Sequence, residues 1–495
     1  MWLSEKPAGK FGGRILVTKY WVADMPSKTN LILNTDSYKA SHYLQYPPGT
    51  TRISCYIESR GGSFPHTVFF GLQIYLKEYL SQPITRENIE EAADILRQHG
   101  LPFHRTGWEH ILKRHGGYLP IVIEAVPEGT VVPVHNILLQ ITNTDPQCYW
   151  LPTYLETSLL RSVWYPTTVA TLSWYCKAIL RHYLQKTADN TKGLPFQLHD
   201  FGARGVSSQE SAEIGAAAHL VNFKGTDTLA GILAARRYYH EPMAAYSIPA
   251  AEHSTIVTWG KEQEGEAYAH ILKQFAKKGQ LVSIVSDSYD IWYALNTLWS
   301  QQLKQQVINN PGVLVIRPDS GDPATVVTKT IDLLLQHFGG KTNTKGYRVL
   351  PDNLRLIQGD GVNIHTIETC LAAMEAKGQS AENIAFGMGG ALLQKLDRDT
   401  EAFAMKANAI ERAGQWHDVY KTPLTDPSKI SKPGRLALIQ DPHHHFKTVR
   451  LEALGKNKNE LIPVFKEGNL LIEWRFQEIR DRADTFLSMY HQKRQ

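Results

Sequence analysis

The chain has 495 residues, enough for two or three domains, and its 42% hydrophobic and 20% charged residues are ordinary for a globular protein. Its 53 basic and 48 acidic side chains leave a net charge of +5 without a basic block or arm, which argues against nucleic acid as a partner. No apolar run approaches the roughly 18 to 20 residues of a membrane helix, so we expect no membrane attachment.

The cysteines and the N-terminus indicate where the protein works. The first 29 residues lack the continuous apolar stretch of a signal peptide. We therefore expect residues 1–29 to be a poorly ordered extension, with Met25 as an alternative start. The wide spacing of the cysteines argues against a zinc site and a disulfide framework, and is typical of the reducing cytoplasm. The chain has four of them: Cys55, Cys148, Cys176 and Cys370.

The first part of the chain has a mixed pattern. RISCYIES (52–59) predicts a strand, and residues 84–98 have helical spacing. PIVIEAVPEGTVVPV (120–134) predicts a hairpin, because apolar and polar residues alternate around a Pro-Glu-Gly turn. After Pro166, helical spacing continues to Leu180, with basic residues toward the end.

A regular alternation follows, in which short apolar runs end in polar or glycine-rich turns and helical patterns separate most of them. Strands that alternate with helices predict a parallel sheet covered by helices through right-handed crossovers. Seven units in about 200 residues predict an α/β barrel, or an incomplete one, rather than an open sheet. The runs are FQLHDFG (196–202), HLVNFKGTD (219–227), AAYSIPAAEH (244–253), LVSIVSD (281–287), GVLVIRPD (312–319), LRLIQGD (354–360) and NIAFGMGG (383–390).

Carboxylates and glycines stand where these runs end. The carboxyl ends of barrel strands meet at one rim, which is where barrel enzymes build their active sites. At any single position an aspartate could instead cap the next helix. Six consecutive units with the same feature are harder to explain by capping alone. The residues are Asp200, Asp227, Glu252 with His253, Asp287, Asp319, Asp360, Gly387, Gly389 and Gly390.

Glycines and arginines at the same rim favour a phosphorylated sugar as ligand. GDG (359–361) and FGMGG (386–390) lie between a strand and a helix, where backbone amides and the helix N-terminus favour phosphate. Glycines also serve plain tight turns. Arg317 ends an apolar strand, so it should face a carboxylate or a bound anion. The histidine run 443–445 follows a proline at a hairpin tip, and we interpret it as a solvated loop rather than a metal site.

The alternation stops before residue 399. RLALIQDPHHHFKTVRLEAL (435–454) and LIPVFKEGNLLIEWRF (461–476) predict hairpins. The C-terminal region is therefore expected to return to a β-rich domain shared with the N-terminal region. The predicted organisation is an extension over residues 1–29, a β-rich domain from residues 30–165 and 399–495, and a barrel over residues 166–398.

Long motifs in order and spacing make the chain resemble the nicotinamide phosphoribosyltransferase family. The likeness runs from about Asn30 into the C-terminal region and leaves out the first 29 residues. The motifs are TDSYKASHYLQYPPGT (35–50), NTDPQCYWL (143–151), HDFGARGVSSQE (199–210), VNFKGTDT (221–228), PAAEHST (249–255), SDSYDI (286–291), IRPDSGDP (316–323), IQGDGV (357–362) and FGMGGALLQKL (386–396).

The resemblance implies an activity, a fold and an assembly. The family forms nicotinamide mononucleotide and pyrophosphate from nicotinamide and phosphoribosyl pyrophosphate, and so recycles the precursor of NAD. It couples this reaction to ATP hydrolysis through a phosphohistidine, with Mg²⁺ bound to the substrate. The implied fold is that of the type II phosphoribosyltransferases, an irregular (incomplete) α/β barrel joined to a β-rich domain. The implied assembly is a cytoplasmic homodimer whose subunits share the active sites.

The resemblance also implies roles for particular residues. His253 matches the phosphorylated histidine, with Asp287 and Glu252 as neighbours. Ala203 and Met388 depart from the pattern of the family without removing a matched functional side chain. The base site would comprise Phe201, Asp227, Arg204 and Ser247, with Tyr38 from the other subunit. The ribose and phosphate site would comprise Ser283, Arg317, Asp319, Gly359, Asp360, Gly389 and Gly390. The pyrophosphate and ATP site would comprise Arg60, Arg398, Lys406, Lys421 and Lys429.

Three other interpretations compete with this one. A nicotinate phosphoribosyltransferase would share the fold, but the carboxylate of Asp227 should repel nicotinate and favour an amide donor. A non-catalytic binding or signalling protein would not need Asp227, His253, Asp319 and Asp360 together. A barrel enzyme for another phosphorylated sugar is excluded only by the motifs, since composition alone allows it.

Overall fold

The computed structural model describes residues 30–441 and 445–492. The predicted extension over residues 1–29 and two of the three consecutive histidines, His443 and His444, lie outside the described residues. Among the described helices, none combines the length and the apolar character that a membrane span needs.

The N-terminal region contains five strands and four helices among its described residues. The strand predicted over residues 52–59 and the helix predicted over 84–98 are confirmed. The helix begins with Thr85 and Asn88 capping each other, at 3.2 and 3.0 Å. The strands are β1 (Thr50–Ser59), β2 (His66–Val68), β3 (Ile121–Ala125), β4 (Val131–Pro133) and β5 (Ile137–Asn143). The helices are α1 (Leu72–Tyr75), α2 (Arg86–Gln98), α3 (Arg105–His115) and α4 (Leu151–Tyr154).

The hairpin predicted over residues 120–134 is wrong. Its two halves are strands, but β3 pairs with β5 and β4 pairs with β2. The turn between them is held away from a hairpin because Glu128 is buried and its carboxylate accepts hydrogen bonds from Gln73 N–H (2.7 Å) and Tyr239 O–H (2.8 Å). Gly129 then donates its N–H to Phe69 O at 2.7 Å, which directs the chain toward β2.

A long helix, α5 (Glu156–Thr187), connects the two parts of the chain. The helical spacing after Pro166 is confirmed, but the helix begins ten residues earlier and Pro166 lies inside it. Proline favours a helix start or break. Here the preceding turns persist because Leu159 and Val163 are fully buried.

The predicted alternation of strands and helices is confirmed in the central part of the chain. Six of the described strands form a parallel sheet in the order β7-β6-β13-β12-β9-β8. The strands of this region are β6 (Leu198–Asp200), β7 (Gly225–Thr226), β8 (Leu281–Val285), β9 (Val313–Arg317), β10 (Lys341–Thr342), β11 (Arg348–Val349), β12 (Leu354–Gln358) and β13 (Ile384–Met388). The helices are α6 (Gln209–His219), α7 (Leu229–Tyr239), α8 (His253–Val257), α9 (Glu264–Phe275), α10 (Ile291–Tyr293), α11 (Lys304–Ile308), α12 (Pro323–Phe338), α13 (Ile364–Ala376) and α14 (Gly390–Leu393).

The third predicted unit differs from expectation. Residues 244–253, all of which the structure describes, form no regular strand and make only isolated parallel bridges. Tyr246 N–H donates to Lys224 O beside β7, and Ser283 N–H of β8 donates to Pro249 O, each at 2.9 Å. A proline cannot donate to a strand ladder, which explains why the segment is irregular. It nevertheless bridges the two edge strands of the curled sheet, β7 and β8, without completing the barrel.

The two chain ends meet in one antiparallel sheet, as predicted. Seven of the described strands form it in the order β15-β14-β1-β5-β3-β18-β19. Both predicted C-terminal hairpins are confirmed, as β16 with β17 and β18 with β19. The last elements are β14 (Phe403–Arg412), β15 (Gln415–Asp418), β16 (Leu436–Gln440), β17 (Phe446–Arg450), β18 (Ile462–Lys466), β19 (Asn469–Leu470) and α15 (Phe476–Gln492).

Two apolar cores support these sheets. One lies between the parallel strands and their helices, and α15 joins it through Phe476, Ile479 and Leu487. The other lies against the antiparallel sheet. This arrangement is an incomplete α/β barrel with a β-rich part built from both chain ends, which confirms the predicted fold class. The boundaries predicted at residues 165/166 and 398/399 stay a prediction, and α5 runs across the first of them.

Candidate active site

One edge of the parallel sheet gathers most of the residues singled out in the sequence. Each of these residues follows the last residue of its strand by one or two positions. Because the strands are parallel, their carboxyl ends lie at the same rim. The residues at this rim are Phe201 after β6, Asp227 after β7, Asp287 after β8, Asp319 after β9, Gly359 after β12 and Gly389 after β13.

The ring of Phe201 rests on two of the rim glycines. A Cβ atom on Gly387 would lie 1.9 Å from Cε2 of Phe201, and one on Gly359 would lie 3.5 Å from the same atom. Phe201 N–H also donates to Met388 O at 2.9 Å, which ties the start of its loop to β13. Glycine is therefore required at position 387 to seat the aromatic ring, a role that the sequence analysis did not separate from phosphate binding.

A carboxylate stands next to this ring. Asp200 and Thr226 pair across β6 and β7, so Phe201 and Asp227 follow at the same level. Asp227 is exposed and accepts a hydrogen bond from Ser247 Oγ. The site thus offers an aromatic face beside an acceptor that already has one hydroxyl donor.

Asp200 is the last residue of β6, but its buried side chain is not accessible to a ligand. Its side chain is fully buried, and it accepts hydrogen bonds from Gly202 N–H at 2.7 Å and Thr226 Oγ1 at 2.9 Å. Burial raises the pKa of this carboxyl, although the hydrogen bonds from Gly202 N–H and Thr226 Oγ1 offset part of the effect. Asp200 therefore holds the loop that carries Phe201.

The glycine cluster after β13 leaves open space. Within the described part of the chain, no atom lies within 4 Å of a Cβ built on Gly390. Gly205 lies close on one side, where its Cβ would be 3.2 Å from Gly390 Cα. The turn Ala203–Gly205 therefore faces the cluster and carries the exposed Arg204.

His253 begins α8 and turns its imidazole toward two carboxylates. Nε2 lies 3.4 Å from Oδ2 of Asp319 and 3.9 Å from Oδ1 of Asp287. Nδ1 lies 3.1 Å from Oγ of Ser288. The side chain is 45% exposed, so the ring remains accessible while three groups orient it.

Glu252 does not fill the position that the sequence analysis expected beside His253. Its carboxylate accepts a hydrogen bond from Ser254 Oγ, and its N–H donates to Thr255 Oγ1 at 3.3 Å. These contacts hold the first turn of α8. Asp319 and Ser288 take the orienting place instead.

Asp287 has one satisfied and one unsatisfied oxygen. Oδ2 accepts hydrogen bonds from Asp319 N–H at 3.0 Å and Ser320 Oγ at 2.5 Å. Oδ1 is buried and accepts none from the residues that the structure describes. A buried acceptor without a partner at a rim indicates a place for a ligand or a cation.

Arg317 meets a carboxylate, as its position in the sequence predicts. One terminal nitrogen lies 3.4 Å from Oδ2 of Asp319, so this oxygen stands between Arg317 and His253. The Nε of Arg317 is buried and has no hydrogen-bond partner among the described residues. Ser283, one strand away in β8, is also buried, and its hydroxyl likewise lacks a described partner.

The GDG turn (359–361) is shaped by a hydrogen bond from the residue that precedes it. Gln358 Nε2 donates to Asp360 O at 2.8 Å, which shapes the turn, and Gly361 has a left-handed φ of 68°. The Asp360 carboxylate is exposed beyond Gly359. A Cβ on Gly359 would lie 3.3 Å from Oδ1 of Asp319, so the turn lies against the Arg317 group.

A second group of cations forms where the β-rich part meets the end of the barrel. The loop after β1 is tied to the turn Arg398–Glu401, because Ser63 N–H donates to Thr400 O at 3.1 Å and Arg60 N–H donates to Ala402 O at 3.3 Å. This brings Arg60 and Arg398 to the same side. Arg60 Nε also donates to the buried carboxylate of Glu58 at 3.1 Å.

Lys406 lies within this cation group. Burial lowers the pKa of its ammonium, the carboxylate of Glu156 opposes that effect, and the positive charges of Arg60, Lys421 and Arg398 lower it further. Several cations close enough to repel one another favour a bound polyanion. Lys429 is exposed and pairs with Asp426 at 2.9 Å.

The described contacts of Tyr38 include none of the rim residues. It is 57% exposed on the 3₁₀ helix Ser37–Leu44, and its ring contacts are with the edge of His42 and with the ammonium of Lys39, 5.4 Å from the ring centroid. The neighbouring Lys39 is buried and pairs with Glu156 at 2.7 Å. Exposed Tyr38 is therefore free to contact another molecule.

Three residues that contact the proposed site residues were not predicted from the sequence. Ser288 follows Asp287 directly in SDSYDI, so its place after a strand was a usable signal. Glu58 lies inside β1, where nothing in the sequence distinguishes it from its neighbours. Only its contacts with Arg60 and Lys432 in the folded chain do so. Ser320 follows Asp319 and was likewise visible in IRPDSGDP.

Comparison with known proteins identifies the family. The profile of the nicotinate phosphoribosyltransferase (NAPRTase) family matches residues 196–459, and that of the nicotinamide phosphoribosyltransferase N-terminal domain matches residues 30–123. The nicotinamide phosphoribosyltransferase of Xanthomonas campestris is 53% identical over 462 residues, covering 92% of this chain and 98% of that protein. The enzyme of the same name from Acinetobacter baylyi is 32% identical, covering 94% and 99%.

Solved structures agree on the fold. Nicotinate-nucleotide pyrophosphorylase from Pyrococcus furiosus has a TM-score of 0.62 at 15% identity, covering 96% of this chain and 99% of that one. Human nicotinic acid phosphoribosyltransferase has a TM-score of 0.57 at 16% identity, covering 92% and 93%. The chain therefore belongs to the nicotinate phosphoribosyltransferase family and is a phosphoribosyltransferase, an enzyme of the pentosyltransferase class.

Proposed function

We propose that this enzyme forms nicotinamide mononucleotide and pyrophosphate from nicotinamide and phosphoribosyl pyrophosphate, in the salvage of NAD. The observation that carries the proposal is the pair of Phe201 and Asp227 at the rim. The ring of Phe201 offers a stacking face, and Asp227 next to it is an acceptor with Ser247 as its donor. An aromatic amide provides the N–H₂ donor that this acceptor needs, whereas a carboxylate would meet like charge.

The remaining rim residues suit the phosphoribosyl group. Arg317 provides a cation and the backbone amides at 359, 389 and 390 provide donors for the phosphate, while the exposed carboxylate of Asp360 provides an acceptor for ribose hydroxyls or a cation. Ser283 and Asp319 would contact the ribose. The cation group of Arg60, Arg398, Lys406 and Lys421 would receive pyrophosphate, with Lys429 at its margin.

The reaction needs placement and charge stabilisation rather than a covalent intermediate with the protein. The bond from ribose C1 to pyrophosphate breaks, positive charge develops on the sugar, and the pyridine nitrogen forms the new C1–N bond. Stacking on Phe201, and on Tyr38 of a second subunit, would hold the ring in line. The arginines and lysines would stabilise the charge on the leaving pyrophosphate.

Magnesium fits the carboxylates at the rim. The buried Oδ1 of Asp287, which accepts no hydrogen bond from the described residues, and the carboxylate of Asp319 are the hard oxygen ligands that Mg²⁺ prefers. A substrate-bound Mg²⁺ would neutralise part of the pyrophosphate charge there. These two side chains would orient it.

His253 is proposed as the acceptor of a phosphoryl group from ATP. Its ring is accessible, and Ser288 and Asp319 orient the two nitrogens. A phosphohistidine at this place would add negative charge beside Asp287 and Asp319, where it would hold Mg²⁺ and favour the forward reaction. ATP is then a co-substrate, and its γ-phosphoryl group passes to a nitrogen of His253 with release of ADP.

We further propose a cytoplasmic homodimer with shared active sites. Tyr38 is exposed, and within one chain its described ring contacts are with His42 and Lys39 rather than with Phe201, so a second copy would bring the two rings together. The four cysteines are buried and unpaired in the described structure, which suits a reducing compartment.

The deciding experiment measures nicotinamide and nicotinate as substrates of the purified protein, with Mg²⁺ and with or without ATP. We expect nicotinamide mononucleotide, and more of it when ATP is present. A preference for nicotinate would instead assign the activity for which the family is named. Formation of neither nucleotide would point to a non-catalytic member.

A further inference from the structure

A cluster of three metal-ligating side chains lies away from the rim. His110 Nε2 and His115 Nε2 lie 2.8 and 2.7 Å from the same oxygen of Asp145, Oδ2. The three ligand atoms all lie within 4.8 Å of one another. We call these residues the His-Asp-His triad, and none of them takes part in the proposed transfer reaction.

The triad lies at a fixed corner of the antiparallel sheet. His115 ends α3, and Asp145 follows β5, whose last residue Asn143 pairs with Ile121 of β3. Asn143 Nδ2 donates to Asp145 O at 2.8 Å, which holds the backbone of the aspartate. The side chains converge from a helix end and a strand end that the sheet holds in place.

The other oxygen of Asp145 is also fixed. Oδ1 accepts a hydrogen bond from Gln147 N–H at 2.8 Å, so Oδ2 is turned toward the two histidines. Such a contact behind a ligand is how metal sites orient their carboxylates. The three side chains are 15 to 22% exposed, which leaves a path for an ion and for one water.

We propose that the His-Asp-His triad binds one divalent transition-metal ion, for which Zn²⁺ is the best match. Two imidazoles and one carboxylate are ligands of zinc, whereas Mg²⁺ and Ca²⁺ prefer oxygen alone. Zinc bonds of about 2.0 to 2.2 Å need ligand atoms about 3.3 Å apart. The distances from the two histidine Nε2 atoms to Asp145 Oδ2 therefore have to increase by only about half an ångström.

The site uses none of the four cysteines, whose spacing argued against a zinc site built on cysteine. Three protein ligands leave a fourth position for water. The ion would link the C-terminal end of α3 to the end of β5, and so staple the helix to the sheet.

The test is metal binding by the full-length protein after dialysis against a chelator. The probes are Zn²⁺ in calorimetry and Co²⁺ in visible absorption, where nitrogen and oxygen ligands give d–d bands without a thiolate charge-transfer band. We expect wild type to bind one equivalent more than His110→Asn/His115→Asn. Removing both ligands should weaken binding by more than the about 10- to 100-fold that loss of an outer partner costs. His115→Gln alone is a second, milder variant.

Two matched controls separate the triad from other sites. His253→Asn removes the imidazole at the rim, and substitution of His443, His444 and His445 by Asn removes the consecutive histidines. Both should keep the extra equivalent. Transferase activity should be unchanged in the triad variants, so failure of this inference leaves the proposed function untouched.

Thermal unfolding gives an independent measurement. Because an ion that binds only the folded chain stabilises it, Zn²⁺ should raise the Tm of wild type by several degrees and leave that of His115→Gln unchanged. Equal zinc stoichiometry in wild type and in the double variant, or no binding by wild type at micromolar free Zn²⁺, would overturn the proposal. The triad would then be a metal-free hydrogen-bond cluster.

Discussion

The imidazole Nε2 of His253 lies 3.4 Å from Oδ2 of Asp319, on the oxygen that also meets Arg317 at 3.4 Å. One carboxylate thereby joins the proposed phosphoryl acceptor to the cation of the proposed phosphate site. The effect of phosphorylation on the transfer site would pass through this oxygen.

Replacement of this histidine should separate ATP coupling from transfer. In His253→Ala, stimulation by ATP should fall by about tenfold or more, while the rate without ATP should change by less than about threefold. Paired assays with and without ATP measure both. The control is His240→Ala, an exposed histidine paired with Glu473 at 2.6 Å, which should behave like wild type. Equal loss of both activities in His253→Ala would contradict the role.

The carboxylate of Asp227 should select the base. In Asp227→Asn, the ratio of kcat/KM for nicotinamide over nicotinate should fall by about 100-fold or more, because the variant no longer repels a carboxylate and can donate to it. Steady-state kinetics with both bases measure this ratio. Asp352→Asn, a surface aspartate paired with Lys341, is the matched control. An unchanged ratio would remove Asp227 from base recognition.

The seat of the aromatic ring depends on the absence of a side chain at position 387. In Gly387→Ala the new methyl group would overlap the Phe201 ring, so the ring must move. We expect kcat/KM for nicotinamide to fall by about 10- to 100-fold and the free energy of unfolding to fall by about 1 to 3 kcal/mol.

The matched control for that change is Gly193→Ala. A Cβ at Gly193 meets no described atom within 4 Å, and its φ of −75° suits any residue. Denaturant unfolding and kinetics on both variants give the comparison. Wild-type kinetics in Gly387→Ala would mean that the position of the Phe201 ring is irrelevant to the base.

Lys406 and Lys429 should differ in how much they contribute to pyrophosphate binding. Lys406→Ala removes a half-buried ammonium that lies close to other cations, and should weaken pyrophosphate binding by about 10- to 100-fold. Lys429→Ala, whose lysine is exposed and paired with Asp426, should change it by less than about threefold. Inhibition by pyrophosphate measures both. Equal effects of the two substitutions on pyrophosphate inhibition would mean that partial burial and neighbouring positive charges do not identify the lysine that binds pyrophosphate.

A buried acid near this group should make stability depend on pH. Both oxygens of Glu401 are buried without a regular hydrogen bond from the described residues. Burial raises its pKa from 4.5 to about 7, although the amides of Ser63 and Phe64 lie close enough to offset part of the cost. The folded state therefore holds this proton more tightly than the unfolded state.

The sign of the pH effect follows from that difference. The contribution of protonated Glu401 is fully present below about pH 4.5 and is lost as the pH rises through about 7. Glu401→Gln has no such loss, so its free energy of unfolding relative to wild type should rise by about 2 to 3 kcal/mol between about pH 5 and 8. Urea unfolding at both pH values measures it. Glu452→Gln, on the exposed surface, should show no comparable rise, and a flat difference for Glu401→Gln would contradict the prediction.

Some of the site was predictable because it depends on strand order alone. Asp227, Asp287 and Asp319 each follow an apolar run, and parallel strands bring such positions to one rim whatever the details of packing. Arg317 was expected to meet a carboxylate because an unpaired charge at a buried strand end is costly. The structure supplies Asp319 as that partner.

Other features required the tertiary structure. The alternation in residues 120–134 predicted strands correctly but not their partners, because Glu128 and Gly129 contact Gln73 and Phe69 far along the chain. The side chain of Glu252 accepts a hydrogen bond from Ser254, and the groups that orient His253 are Asp319 and Ser288, contacts that the sequence alone does not reveal.

The sequence by itself determined the incomplete barrel, the shared antiparallel sheet and most of the residues at the rim. These follow from periodicity and from the chain order of strands and helices, which are local properties. Only the tertiary structure decided that Gly387 seats Phe201, that Ser288 and Asp319 orient His253, and that His110 and His115 share Asp145. Those relationships depend on distances between side chains that are far apart in the sequence, and packing sets such distances.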